Sequence, residues 1–224
     1  MNMKSIYMTL MVVSMAAVLV ILGIVIGRKP EEKLENDKMP YETYKDLEII
    51  KQFNTYNYDA NITYYKEKKE TNKTNYWTMK YTYKNNIERF SDDSNNPYEY
   101  NNFVSKERYI KAGNKEDKDA YKIEKLTYKS YHSMILEVLN NSKYDGKTTY
   151  VLQTPKEVIK KFLEEFNKRV QSSIKYNEKQ EYKLYIKVEN EEITEFVLTA
   201  DNKHIAFIFS NINKIEDITL PKVA

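Results

Sequence analysis

Alternating apolar and polar residues near the C-terminal end of the chain predict a group of β-strands. Within residues 182–189, Tyr182, Leu184, Ile186 and Val188 point one way and polar residues alternate with them. A period of two is typical of a strand with one buried face. Residues 180–221 as a whole predict four short strands separated by turns, which would pair as a curved antiparallel sheet.

A second group of strands is predicted in the first half of the chain. Residues 56–64 and 76–83 alternate in the same way. Their apolar sides carry Tyr56, Tyr58, Ala60, Ile62 and Tyr64 in the first strand, and Trp77, Met79, Tyr81 and Tyr83 in the second. Shorter strands are predicted near residues 87–90, 98–104, 108–112 and 121–128. The last would contain a β-bulge, because its apolar positions change parity.

Three stretches instead repeat apolar residues at helical spacing, at residues 40–53, 131–139 and 155–170. The third is the most regular. Thr154, Pro155 and Glu157 predict a capping box with proline at the first helical position. An apolar stripe follows on one face of that helix and needs a surface to cover. The predicted sheet provides one.

These elements predict an α+β fold with an N-terminal transmembrane helix, then a strongly curved antiparallel β-sheet with about three helices covering one face. We expect a membrane anchor at residues 1–27, a charged tether at 28–39 and one domain at 40–224. Residues 5–27 are an uncharged and mostly apolar run, longer than the ~20 residues that a membrane-spanning helix needs. The apolar core of a cleavable signal peptide is only about 7–15 residues long, so we expect the anchor to stay uncleaved.

The side of the membrane follows less directly from the charges. Lys4 precedes the apolar run, whereas Arg28, Lys29 and Lys33 follow it, and the positive-inside rule then favours a cytoplasmic domain. A short head, one anchor and a long folded domain are typical of exported proteins, so we expect a single-pass membrane protein with an extracytoplasmic domain. Gly23 and Gly27 form a GxxxG pair that would let two anchors dimerise, although such pairs are frequent by chance.

Charge and composition exclude several classes of function. Without Lys4, Arg28 and Lys29, the chain carries 33 basic and 33 acidic residues. A nucleic-acid-binding domain needs a net basic face, so we expect no nucleic-acid partner. The chain contains no cysteine, which excludes disulfides and thiolate chemistry.

No motif typical of an enzyme stands in the sequence. His132 and His204 fall in different predicted elements, without the cysteine or HExxH spacing of a zinc site. Gly113 and Gly146 are the only glycines of the predicted domain, which excludes a glycine-rich phosphate loop. We therefore expect no catalytic residue, no metal and no cofactor.

Two segments resemble a known family. Residues 146–163, GKTTYVLQTPKEVIKKFL, form a strand that ends in Thr-Pro and opens a helix. In residues 183–221, a strand pair is followed by Phe209-Ser210, a short turn at residues 211–214 and a closing segment that ends in Pro221. This pattern is similar to the LolA-like lipoprotein-carrier superfamily, above all its LppX/LprG branch of envelope lipid-binding proteins. The lipobox cysteine that is common in that branch is missing.

The resemblance implies a half-barrel whose concave face is partly closed by helices, leaving an apolar cavity for acyl chains. The partner would then be a lipid or a lipid-linked envelope molecule. The candidates for lining the cavity are Tyr56, Tyr58, Ile62, Trp77, Met79, Tyr81, Leu184, Ile186, Phe207 and Phe209. The same residues would equally form a filled core, and the alternative is a non-enzymatic envelope module that binds a protein partner.

Overall fold

The computed structural model describes residues 48–68, 72–112, 120–145, 149–170 and 174–223. All of them belong to one compact unit that spans residues 41–224. The predicted anchor with its GxxxG pair, the tether and the start of the helix predicted at 40–53 lie outside the described residues. Within the described ranges, no helix has both the length and the apolar character needed to cross a bilayer.

Eleven strands of the described residues form a single antiparallel sheet. Their bounds are β1 Tyr58–Lys68, β2 Asn72–Lys84, β3 Ile87–Ser91, β4 Pro97–Asn102, β5 Glu107–Lys111, β6 Tyr121–Lys125, β7 Lys143–Asp145, β8 Thr149–Gln153, β9 Tyr182–Glu189, β10 Glu192–Ala200 and β11 Lys203–Ser210. The order across the sheet is β6-β5-β4-β3-β2-β1-β11-β10-β9-β8-β7. The sheet is open, because β6 and β7 are its two edges.

Three helices accompany this sheet in the described part of the chain: α1 (Glu48–Phe53), α2 (Tyr131–Asn141) and α3 (Lys156–Arg169). Ser130 caps α2, since its hydroxyl accepts a hydrogen bond from the Ser133 backbone N–H. Side chains of all three helices pack in one cluster with side chains from one face of the sheet. We call that face the inner face and the opposite one the outer face. The prediction of an α+β fold with a large antiparallel sheet is confirmed.

The alternation that predicted the strands places their apolar residues on the inner face. Ile62 of β1 lies opposite Phe207 of β11 and Met79 of β2. Phe207 in turn lies opposite Phe196 of β10. The part of this row from Ile62 to Phe196 is the centre of the sheet, and it packs in one cluster with the apolar stripe of α3 and with α2.

At the β6 edge the apolar side of the sheet is reversed. Tyr100, Tyr109 and Tyr121 form a second cluster on the outer face, and Ile218 and Leu220 of the C-terminal segment pack against it. The same segment is held at its start by Asn57, whose carbonyl accepts a hydrogen bond from the Asn213 N–H at 2.6 Å. The C-terminal segment therefore crosses the outer face as a strap.

This strap corrects the prediction of a fourth strand near the C-terminus. Residues 211–222 form no strand, and Val223 makes only an isolated bridge with Tyr121. Lys84 binds the segment through its side chain, since Nζ donates to the Ile215 carbonyl at 2.6 Å and lies 2.9 Å from the Asp217 carboxylate. Side-chain contacts thus replace the backbone ladder that the alternation suggested.

Two further local predictions were wrong, and one strand was missed. The helix α3 has Pro155 as its N-cap without a side-chain hydrogen bond, because the Thr154 hydroxyl pairs instead with Ser142, 2.7 Å away. The register between β5 and β6 is continuous, so the predicted bulge is absent. The strand β7 was not predicted; it is only three residues long, too short to show a period.

Candidate functional site

The structure places eight of the ten predicted cavity residues in the packed core. Tyr58, Ile62, Ile186 and Phe207 are completely buried. The other four in this group, Tyr56, Tyr81, Leu184 and Phe209, are at most 5% exposed. All eight belong to a single hydrophobic cluster that also contains side chains of the three helices. The interior between the inner face and the helices is therefore filled around these residues.

Trp77 and Met79 lie differently, at the margin of the core. Both are only partly buried, although they pack against the core cluster. The Trp77 ring lies 5.9 Å from the Phe166 ring of α3, and the two planes are inclined by 22°. Of the ten predicted cavity residues, Trp77 and Met79 of β2 are thus the two that remain accessible, where the sheet meets α3.

A buried ion pair joins the inner face to α2 and α3. Glu88 of β3 and Arg169 of α3 are almost completely buried, and Arg169 Nη2 lies 2.6 Å from Glu88 Oε2. Arg169 Nη1 donates to the other carboxylate oxygen at 3.1 Å. This bidentate geometry is the strongest arrangement that an arginine and a carboxylate form.

The remaining acceptor positions of Glu88 are also used. Its carboxylate accepts hydrogen bonds from the Tyr131 backbone N–H at 2.8 Å, the Tyr81 hydroxyl at 3.0 Å and the Asn101 amide at 3.2 Å. The Tyr131 N–H is one of the unpaired donors at the start of α2. Through these hydrogen bonds the Glu88 carboxylate links the sheet, the N-terminus of α2 and the last turn of α3.

Aromatic rings surround the guanidinium of Arg169. Its Cζ lies 3.6 Å from the ring centre of Tyr131 and 4.7 Å from that of Tyr128. Burial alone would lower the pKa of Arg169, but the attraction of the Glu88 carboxylate outweighs it and raises the pKa above the ordinary value. Both side chains have hydrogen-bond partners on every side, which is the pattern of a structural pair that fixes the helices on the sheet.

The outer face carries a row of apolar residues across β8, β9, β10 and β11. Register places Val151, Tyr185, Val197 and Ala206 side by side, and Ile208 lies next to Ala206 along the same face. We call these five residues the apolar row. Val197 and Ala206 are buried by their neighbours, whereas Val151 is 49% exposed and Ile208 46%.

Charged residues of both signs border the apolar row. The ammonium group of Lys187 lies 2.8 Å from the Glu189 carboxylate and 3.5 Å from that of Glu195. An apolar centre with a polar rim is the usual composition of a protein–protein contact surface.

His132 is buried near the start of α2. It stacks on Tyr83 with 4.2 Å between ring centres and on Phe53 with 5.0 Å, and its Nδ1 lies 3.3 Å from the Tyr58 hydroxyl. Burial lowers the pKa of His132 to about 4, a shift that the backbone of Asn54 opposes in part. The imidazole is therefore neutral at neutral pH.

This depressed pKa predicts a loss of stability in acid. The pKa of His132 is lower in the folded protein than its ordinary 6.5, so the unfolded chain binds the proton first. The stability that the neutral His132 contributes is complete above about pH 6.5 and is lost as the pH falls towards about 4. The loss reaches about 2 kcal/mol at pH ~5. We expect the urea unfolding free energy to fall by that much more in the wild type than in His132→Phe between about pH 7 and about pH 5. Equal losses in the two proteins would contradict the assignment.

The Glu88–Arg169 pair was not predicted from the sequence. Glu88 lies two positions before Phe90 in β3, so both point to the same face of the sheet. An acidic residue on that apolar face was the feature of the sequence that could have indicated a buried pair. Its partner is 81 positions away, and no spacing rule connects them. Of the two histidines, His204 lies on the outer face beside Tyr65, with 4.6 Å between ring centres, and the structure does not bring it to His132.

No protein-family model matches this chain, and no curated protein is significantly similar to it in sequence. Within the described residues, no group of three histidine, aspartate or glutamate side chains is placed to hold a metal ion.

Proposed function

We propose that the protein is a non-enzymatic module of the cell envelope, tethered through residues 5–27, whose domain binds a protein partner through the apolar row. The observation that carries the proposal is the filled interior: eight of the ten residues expected to line a cavity are at most 5% exposed. A packed core leaves the surface as the place of recognition. The resemblance to an envelope superfamily supports the extracytoplasmic side.

The outer face supports a protein rather than a lipid as the occupant. Val151 and Ile208 are the exposed members of the apolar row, at its β8 and β11 ends, and Tyr185 between them is partly exposed; exposed apolar side chains on one face are typical of interaction sites. The paired charges of Lys187, Glu189 and Glu195 beside it suit a polar rim that selects one partner by its charges.

An Ile208→Glu substitution tests the proposed surface. We expect chemical cross-linking of the full-length protein in its native membranes to capture one stoichiometric protein, and Ile208→Glu to reduce that capture at least about tenfold, since a charge would be desolvated in the contact. The matched control is Val104→Glu, because Val104 is 75% exposed in the turn between β4 and β5. Equal capture by both variants would contradict the proposal.

A lipid-binding carrier is the second candidate function, favoured by the accessible position of Trp77 and Met79 beside α3. An adaptable thioether next to a large ring suits irregular acyl chains, which would enter between the sheet and α3. This candidate function also requires the strongly curved half-barrel that the family resemblance implies.

Fluorescence distinguishes the two candidates, because Trp77 is the only tryptophan in the chain. A brominated fatty acid bound between the sheet and α3 would quench most of its emission, whereas the same fatty acid without bromine would not. The protein-partner proposal predicts equal emission with both, and no lipid in an organic extract of the purified protein. Quenching together with a co-purified lipid would favour the carrier.

A further inference from the structure

A polar pocket lies beside His132, where the end of α1 and the first turn of α2 meet the turn between β2 and β3. Its volume is 310 Å³, at the small end of the range for pockets that bind small molecules. Ten residues line it, and four of them are asparagines: Asn54, Asn57, Asn85 and Asn86. The size is that of a site for one small ring or residue.

The pocket carries no charge at neutral pH. None of the ten lining residues is aspartate, glutamate, lysine or arginine, and burial keeps His132 neutral. A charged ligand would find no counter-charge among these ten residues. The lining therefore selects an uncharged ligand that forms many hydrogen bonds.

Two of the four carboxamides are available to such a ligand. The Oδ1 of Asn57 accepts from the Ile215 N–H, and that of Asn86 accepts from the Tyr83 hydroxyl. Among the described residues, Asn54 and Asn85 have no side-chain hydrogen-bond partner, and each amide offers both a donor and an acceptor group. A left-handed backbone accounts for asparagine at positions 85 and 86, but Asn54 has no such backbone requirement.

The buried rings of Tyr83 and His132 form part of the lining and stack on each other with planes inclined by only 10°. The carboxamides and hydroxyls of the lining suit a polyhydroxylated ring. A peptide would instead favour an unpaired strand edge, and this pocket is built from turns and helix ends.

We propose that this pocket binds one neutral saccharide unit, whose hydroxyls pair with the carboxamides of Asn54 and Asn85. The site is distinct from the apolar row and from the Trp77 margin, so it stands whether or not the proposed function does.

The test uses the full-length protein in nanodiscs and saturation-transfer NMR with matched sugars. We expect N-acetylglucosamine and glucose to bind, and glucosamine and glucuronate, which carry a charge on the same ring, to bind at least about tenfold more weakly. Capped trialanine serves as the peptide probe. Absence of saturation transfer from both neutral sugars, or tighter binding of a charged sugar or of the peptide, would overturn the proposal.

Variants locate the binding in the pocket. Asn54→Ala and Asn85→Gly should each weaken sugar binding about three- to tenfold, the usual worth of one hydrogen bond; glycine keeps the left-handed backbone at position 85. Asn190→Gly is the matched control, since Asn190 also has a positive φ and is exposed in the turn between β9 and β10. Equal binding by all three variants, at unchanged thermal stability, would show that the sugar binds elsewhere.

Discussion

Replacing Arg169 by methionine is expected to lower the free energy of unfolding by about 3–5 kcal/mol, because it leaves the Glu88 carboxylate buried without its counter-charge. Glu88 is completely buried, so water cannot take the place of the guanidinium without opening the core. A domain of this kind has a total stability of only about 5–15 kcal/mol, and the variant would lose a large part of it. Urea denaturation followed by circular dichroism measures the loss.

Two further variants separate the charge effect from lost packing. Glu88→Gln in the Arg169→Met background removes the unpaired charge but keeps an acceptor for the Tyr131 N–H, so the double variant should be more stable than Arg169→Met alone. The control is Lys168→Met at the position next to Arg169. It breaks only the pair of Lys168 with Glu165 and should cost less than about 1 kcal/mol. A loss below about 1 kcal/mol for Arg169→Met would show that the pair does not hold α3.

Truncation of Phe207 to alanine should cost about 3–5 kcal/mol, the range for removing a buried phenylalanine ring. Its ring lies in the centre of the inner face, 5.4 Å from the ring of Tyr131 and 6.0 Å from that of Phe196. Those rings are fixed by α2 and β10, so the space would remain largely open. The measurement is again the urea unfolding free energy.

The neighbouring residue provides the control. Ile208→Ala on the outer face should cost less than about 1 kcal/mol, because Ile208 is half exposed. Similar losses at positions 207 and 208 would mean that Ile208 is as deeply buried as Phe207. The Phe207→Ala protein also tests the carrier candidate: if acyl chains enter the interior, the enlarged space should increase fatty-acid binding, whereas a closed core should leave it unchanged.

The sequence predicted those elements whose side chains repeat with a clear period. Alternation over residues 56–64 and 182–189 identified β1 and β9 and their buried faces, since each strand has one face in the core. The stripe of α3 was equally clear, because Ile159, Phe162, Leu163 and Phe166 are buried together. Three short strands of the first half, β3, β4 and β5, were found with less certain ends.

Features that depend on distant partners could not be predicted. The strap was predicted as a strand because it follows the turn at residues 211–214 and ends in Pro221, yet its contacts are with Lys84, Asn57 and the tyrosine cluster. The cap of α3 was predicted from Thr154, whose hydroxyl pairs with Ser142 instead. In each case a side chain of another part of the chain decides the local arrangement.

The central position of β1 beside β11 has a consequence for how the domain forms. Asp59 is paired with Ser210, so the first and last strands of the sheet meet in its middle, and neither half can bury its inner face alone. Closing such a long loop is slow compared with forming the local hairpins on either side. The domain is therefore expected to acquire its core only after β11 has left the ribosome.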